Sequence, residues 1–214
     1  MTSQETSNGD VRVLFVRHGE TEANVEHRYM GQSDSPLTPM GIAQVEAVAR
    51  RLSQYRLGAI YSSDLGRAAN TSRIISRACK LPVIDDRRLR ERHAGLLQGQ
   101  LQADARIKYA NVFAEIARAG AGYVFPGGGE SGLQIERRMA SFLDEMRMKH
   151  PDETIVAVTH GGVLRVLLWH VLGFPYESIF RLRCDNTSIS AISSSEGEWI
   201  VESWNDTAHL PLEL

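Results

Sequence analysis

Short apolar runs rich in β-branched residues alternate along the chain with longer stretches whose apolar residues return every three or four positions. Val13-Leu14-Phe15-Val16 and Ile155-Val156-Ala157-Val158 are unbroken apolar runs, the pattern of strands covered on both faces. After the first run, Thr38 is suited to cap a helix with Pro39 at its first position, and Ile42, Val45, Val48, Ala49 and Leu52 form its apolar stripe. Residues 59–62 read as a second strand, with Asp64 as the cap of a helix running towards Cys79. Pro82-Val83-Ile84 suits a short edge strand. Residues 101–119 read as one helix, with Ala103, Ile107, Ala110, Phe113, Ala114 and Ala117 along its buried face. A glycine-rich loop over 120–129 follows, carrying Tyr123, Phe125 and Pro126. Ser131 and Gln134 then make a capping box that opens a helix with Ile135, Met139, Phe142, Leu143 and Met146 inward. Residues 154–172 form a last strand-helix unit, and 187–193 with 199–204 a hairpin across 194–198. This alternation predicts one α/β domain over residues 11–214, a three-layer α/β/α sandwich around a mostly parallel central sheet.

The first ten residues are polar and carry neither a basic start nor an apolar core, so they read as a disordered tail rather than a signal peptide. The chain of 214 residues, 43% hydrophobic and 23% charged, is long enough for a sizeable core. Its formal net charge of -2 argues against general attraction to nucleic acid or an anionic membrane, so an anionic ligand must be held by locally placed cations. The apolar run within 163–172 is interrupted by Arg165 and His170 and is too short to span a bilayer. Cys79 and Cys184 show no metal or disulfide spacing, which suits buried thiols in a reducing, cytoplasmic setting.

The chemistry gathers at the strand ends. The first run leads into Arg17-His18-Gly19-Glu20 and the fourth into His160-Gly161-Gly162. In open α/β sheets ligands sit outside the carboxyl ends of the strands, so two imidazoles and an arginine share one mouth. Arg67 falls in the first turn of a helix, where the dipole disfavours a cation, yet it follows the second strand as His18 follows the first. A local choice that opposes folding marks a candidate functional residue. A solvated surface arginine is the plainer reading of Arg67 taken alone. Two arginines offer bidentate contacts to a phosphoryl dianion without a metal. A neutral imidazole at His18, its other nitrogen held by a carbonyl in the 19–21 turn, could attack phosphorus. His160 could stabilise the equatorial oxygens. Glu91 is a candidate acid for the departing alkoxide and base for the attacking water, although its arginine neighbours equally suit a surface ion-pair cluster. His27, His150, His170 and His209 read as ordinary histidines with satisfied polar atoms.

The segment 17–24, Arg-His-Gly-Glu-Thr-Glu-Ala-Asn, resembles the signature of the histidine phosphatase superfamily, in its phosphoglycerate-mutase-like branch. The likeness continues in order through Gly31, residues 35–38, Gly41, residues 62–68, Glu91, Gly95, Gly99, residues 129–131 and residues 159–162. It implies that fold, a phosphohistidine at His18, and a phosphate pocket of Arg17, Arg67 and His160. Glu91 would be the proton donor, Asn24 and the Gly161 amide would add hydrogen bonds, and Gly31 would join the substrate-binding set. No metal or organic cofactor would be needed, the substrate being a small phosphomonoester.

Members of that family either hydrolyse phosphomonoesters or move phosphate between hydroxyls of phosphoglycerate. The short stretch between Glu91 and Glu130 lacks the longer insertion of the mutases and favours water as acceptor. Glu91-Arg92-His93 instead reads like the mutase version, with Arg92 and His93 as contacts to a carboxylate or second anion. Tyr109, Phe113, Tyr123 and Phe125 could roof the pocket or simply pack as core. A metal hydrolase using His18, Glu20 and His160, and a catalytically silent binding module, are the alternatives from other classes. The hairpin at 199–204 could add an edge strand for a homodimer.

Overall fold

The computed structural model describes residues 9–211. Six strands form one sheet: β1 (Arg12–Arg17), β2 (Leu57–Ser62), β3 (Val83–Asp85), β4 (Thr154–Thr159), β5 (Ile189–Ser195) and β6 (Glu198–Asp206). Their order across the sheet is β3-β2-β4-β1-β5-β6. The first four are parallel neighbours, β5 is antiparallel to β1, and β6 is antiparallel to β5. This is the mixed, mostly parallel sheet that the alternating pattern predicts.

Strand alternation divides the core. Val13, Phe15, Ala59, Tyr61, Ile155 and Ala157 face α6 (Gly132–Lys149) and α7 (Gly161–Leu172). Leu14, Val16, Ile60, Val156 and Val158 face α2 (Pro39–Leu52) and α3 (Gly66–Cys79). Phe142 of α6 is fully buried between Phe15 and Tyr61, and burying such a side chain contributes roughly 1.5–3 kcal/mol. Thr38 accepts from the Gly41 amide with Pro39 at the first helical position, and Ser131 with Gln134 forms the expected capping box. Ile42 departs from the expected stripe: it is 42% exposed, in the first turn of α2. The strand at 83–85 lies at the sheet edge, as expected.

Two other expectations are corrected. Residues 101–119 form two helices, α4 (Gln102–Lys108) and α5 (Ala110–Ala119), broken at Tyr109 (φ −117°, ψ 35°). The break rotates the buried face onto Ala105 and Val112, while Ile107 is 81% exposed and Ala103, Ala110, Ala114 and Ala117 face solvent. Asp64 does not cap α3: Leu65 holds that position without a side-chain bond, and Asp64 instead takes a two-pronged contact from Arg90 at 2.6 and 2.5 Å. That bond, first among the causes, lowers the Asp64 pKa. Most of the expected tail, residues 1–8, lies outside the described residues; at its end the Asp152 amide donates to the Asp10 carbonyl at 3.1 Å. Among the described residues no helix is long and apolar enough to cross a membrane.

Candidate active site

The mouth is built where β1, β4 and β2 end together. The His18 amide donates to Thr159 O at 3.0 Å and the Ser63 amide to Val158 O at 2.9 Å, so the ladder carries one residue past each strand. Backbone packing fixes the turn after β1. A side chain on Gly19 would meet Val45 at 2.6 Å and Gly41 O at 2.8 Å, and one on Gly41 would collide with Glu20. Glu20 is spent on this joint, its carboxylate accepting from Thr38 Oγ1 at 2.7 Å. Among the described residues His18, Glu20 and His160 do not come together as a group that could hold a metal ion.

His18 is 4% exposed, and its Nδ1 lies 2.8 Å from Gly19 O. A carbonyl only accepts, so Nδ1 carries the proton and Nε2 keeps the lone pair. Arg67 Nε donates to that nitrogen at 3.2 Å. Arg67 is itself 2% exposed, gripped by Ser33 O and Gly31 O, each at 2.8 Å. Gly31 therefore acts through its carbonyl, in a turn whose φ of +54° favours glycine. The His160 ring lies 5.1 Å from that of His18, centroid to centroid. Its Nε2 is 2.8 Å from Ser63 Oγ, while Nδ1 is buried with no partner among the described residues. The Leu65 amide already donates to Ser63 Oγ at 3.3 Å. Among the described residues the Ser63 hydroxyl has no other acceptor in reach, so it donates to His160 Nε2 and leaves an N–H at Nδ1 as a free donor.

Arg17 donates from Nη1 to Cys184 O at 2.5 Å, and its Nε is buried without a partner among the described residues. That Nε stands 3.4 Å from where a Cβ would sit on Gly161, the first residue of α7. His160, at the cap position, supplies no side-chain bond to this helix end. Glu91 does: its Oε2 accepts from Gly162 N at 3.0 Å and its Oε1 from Arg92 N at 2.7 Å. Any side chain at Gly162 would strike that carboxylate. The expected cluster of Glu91 with its arginine neighbours does not form, because Arg90 turns to Asp64 and Arg92 to Tyr176 OH at 2.6 Å. Thr159 Oγ1 donates to Leu89 O at 2.7 Å and holds the segment against β4.

Asn24 lies just outside this group. Its Oδ1 accepts from Thr21 N at 3.2 Å, capping α1 (Glu22–Val25), and from Asn186 Nδ2 at 3.2 Å. Asn186 also donates to His18 O at 2.9 Å, linking both residues. The side chains of Arg92 and His93 engage protein groups. The Arg92 guanidinium lies 5.5 Å from the Phe125 ring centre, and His93 Nδ1 accepts from Gly95 N at 3.2 Å. Tyr109, Phe113, Tyr123 and Phe125 pack with Tyr29, Leu97 and Val112 as a small satellite core. Sequence reasoning assigned no role to Ser63, Asn186 or Arg165. Ser63 follows β2 as His18 follows β1, which is the signal that could have found it.

Burial is the main force holding the pKa values of His18 and His160 well below the usual histidine range, and the Arg67 charge is next for each. His209 is pushed down to about 4, again mainly by burial. Unfolded imidazoles titrate near ~6.5, so below that pH the unfolded chain binds more protons than the native one. Native stability is full above pH ~6.5 and is lost as pH falls towards the depressed native values. The urea midpoint is expected to drop between pH 7.5 and 5.5, with a shallower drop in His18→Ala. A flat wild-type profile would contradict neutral buried imidazoles.

Comparison with known proteins places this geometry. Residues 13–207 match the family model of the histidine phosphatase superfamily (branch 1). The chain is similar to a metal-independent phosphoserine phosphatase of Arabidopsis thaliana, 36% identical over 200 residues, 92% of this chain and 82% of the relative. It is similar to a probable phosphoglycerate mutase GpmB of Proteus mirabilis, 38% identical over 209 residues, 94% of this chain and 95% of the relative. Among solved structures, a mycobacterial glucosyl-3-phosphoglycerate phosphatase superposes with a TM-score of 0.80 at 31% identity, covering 92% of this chain and 99% of that one. A match running through all six strands, with relatives this similar along most of their length, means that the chain belongs to the histidine phosphatase superfamily, branch 1, and is an enzyme of the histidine phosphatase type.

Proposed function

We propose that the protein hydrolyses small phosphomonoesters without a metal, through a phosphohistidine at His18. One observation carries this reading: His18 holds its proton on Nδ1 against Gly19 O, leaving Nε2 unprotonated and facing Arg67. The Nε2 lone pair attacks phosphorus as the ester P–O bond breaks, splitting one displacement into two. Arg67 Nε passes from the nitrogen to an equatorial oxygen, where Arg17 Nε and the His160 Nδ1 proton supply further donors. Glu91 gives a proton to the departing alkoxide. It then takes one from the water that attacks the phosphohistidine, breaking P–N and releasing phosphate. Asn186 steadies the His18 carbonyl and the Asn24 side chain. Cys79 and Cys184 as free thiols suit the reducing cytoplasm.

Turnover of p-nitrophenyl phosphate in excess chelator tests the proposal, with acid quench to capture an acid-labile, base-stable label on His18. Chelator-sensitive turnover or an unlabelled His18 would reject it. Glu91→Gln is expected to slow alkyl phosphates far more than aryl ones, because only the poor leaving group needs the proton; equal losses would take Glu91 out of that role. Likeness to a probable mutase supports a second reading, phosphate transfer between hydroxyls. The satellite core of residues 94–125 favours hydrolysis, since its aromatic side chains are committed to one another. Isomerisation of 3-phosphoglycerate primed with 2,3-bisphosphoglycerate, faster than phosphate release, would reverse that preference.

A further inference from the structure

Arg165 lies one turn into α7, the lone cation within the apolar run 163–168. A Cβ placed on Gly161 would meet Arg165 Nη1 at 3.3 Å and Arg17 Nε at 3.4 Å, so both guanidinium groups converge on one glycine at the helix start. Both are braced from behind by the same short segment: Arg165 Nε donates to Leu182 O at 2.9 Å, and Arg17 Nη1 to Cys184 O. Among the described residues no carboxylate lies within ion-pair distance of either group. Burial lowers the Arg17 pKa, and the Arg165 charge adds to that effect. Glu91 and Asp185 offset part of that charge from beyond ion-pair distance, but two cations held at one glycine without a paired carboxylate still oppose folding, which is reason to look for an anion that bridges them.

We propose that Arg165 binds a carboxylate carried by the substrate close to its phosphoryl ester, so that the site selects phosphomonoesters of short carboxylic acids. The inference rests on the phosphatase reading and assigns Arg17 to the phosphoryl group. With Nε held by Leu182 O, Arg165 offers the paired Nη end of its fork, which matches a planar carboxylate. Because Arg17 and Arg165 share Gly161 as a neighbour, the two anionic groups of the substrate must be only a few bonds apart.

O-phosphoserine and phosphoethanolamine differ only in the carboxylate, and p-nitrophenyl phosphate lacks one. In the wild type, kcat/KM is expected to be at least about tenfold higher for phosphoserine than for phosphoethanolamine, as for one hydrogen-bonded charged group. Arg165→Gln should lower phosphoserine turnover by about 10- to 100-fold, chiefly through KM, while the other two substrates change by less than about threefold. Arg165→Lys should recover part of the loss. Equal wild-type kcat/KM for the matched pair overturns the proposal without any variant, and so does an equal loss on all three substrates, the result of a merely structural arginine. No turnover of any of the three, aryl phosphate included, sinks the phosphatase reading and this inference with it.

Discussion

His18→Ala is expected to leave no measurable turnover of p-nitrophenyl phosphate, a loss of at least about 10³-fold, as for removal of a covalent nucleophile. The reason is positional. Among the described residues nothing else near the strand ends offers an unprotonated nitrogen at phosphorus: His160 Nε2 is committed to Ser63, and Arg17 and Arg67 bring guanidinium donors. The variant should still bind inorganic phosphate, because Arg17, Arg67 and the free His160 donor remain. It should carry no acid-labile label. Circular dichroism and a urea titration at pH 7.5 should show an intact fold, since alanine replaces a ring that accepts only one bond from the core, that of Arg67. Removing a buried imidazole with a depressed pKa also removes one source of acid sensitivity. Turnover within tenfold of wild type would mean that water attacks the ester directly and that His18 has another task.

The parts of this site legible in the sequence were those whose local pattern and final position agree. Strands β1 and β4 are continuous apolar runs because helices cover both faces, so their ends, and with them His18 and His160, could be placed in advance. Arg67 was legible for the opposite reason, a cation in the first turn of a helix. What was hidden depends on partners distant in sequence. Asp64 has the right chemistry for a cap, but Arg90, 26 residues on, offers a two-pronged ion pair that a helix amide cannot match. The break at Tyr109 leaves no trace because no glycine or proline marks it; it falls where Tyr109 packs against the cluster of Ala94, Leu97, Ala105, Val112 and Phe125. Arg165 looked like an interruption in a run of apolar residues, and only the close approach at Gly161 gives it a neighbour in the site. The Glu91 carboxylate shows the same dependence. Its place is fixed by the two amides it accepts from, one of them 71 residues away.

Arg67→Lys keeps a positive charge yet is expected to lower kcat/KM by about 10²–10³-fold, the loss typical of one misplaced donor at a developing oxyanion. Arg67 directs three nitrogens at three targets in different directions: Ser33 O, Gly31 O and His18 Nε2. A lysine ammonium is a single point on a flexible stem and cannot reach all three. One or both carbonyls then lose the partner that Arg67, itself 2% exposed, supplies, costing about 1–3 kcal/mol for each buried group left unpaired. The buried ammonium brings a second, more diagnostic change. Burial disfavours the charged form of lysine and draws its pKa down. The guanidinium at this position is also shifted down by burial, but from a value far above the working range. Residual activity of Arg67→Lys should therefore fall as pH rises from 7 to 9, while the wild type shows no such loss from this residue. Activity within tenfold of wild type and an unchanged pH profile would reduce Arg67 to a point charge and remove the fork from the phosphate pocket.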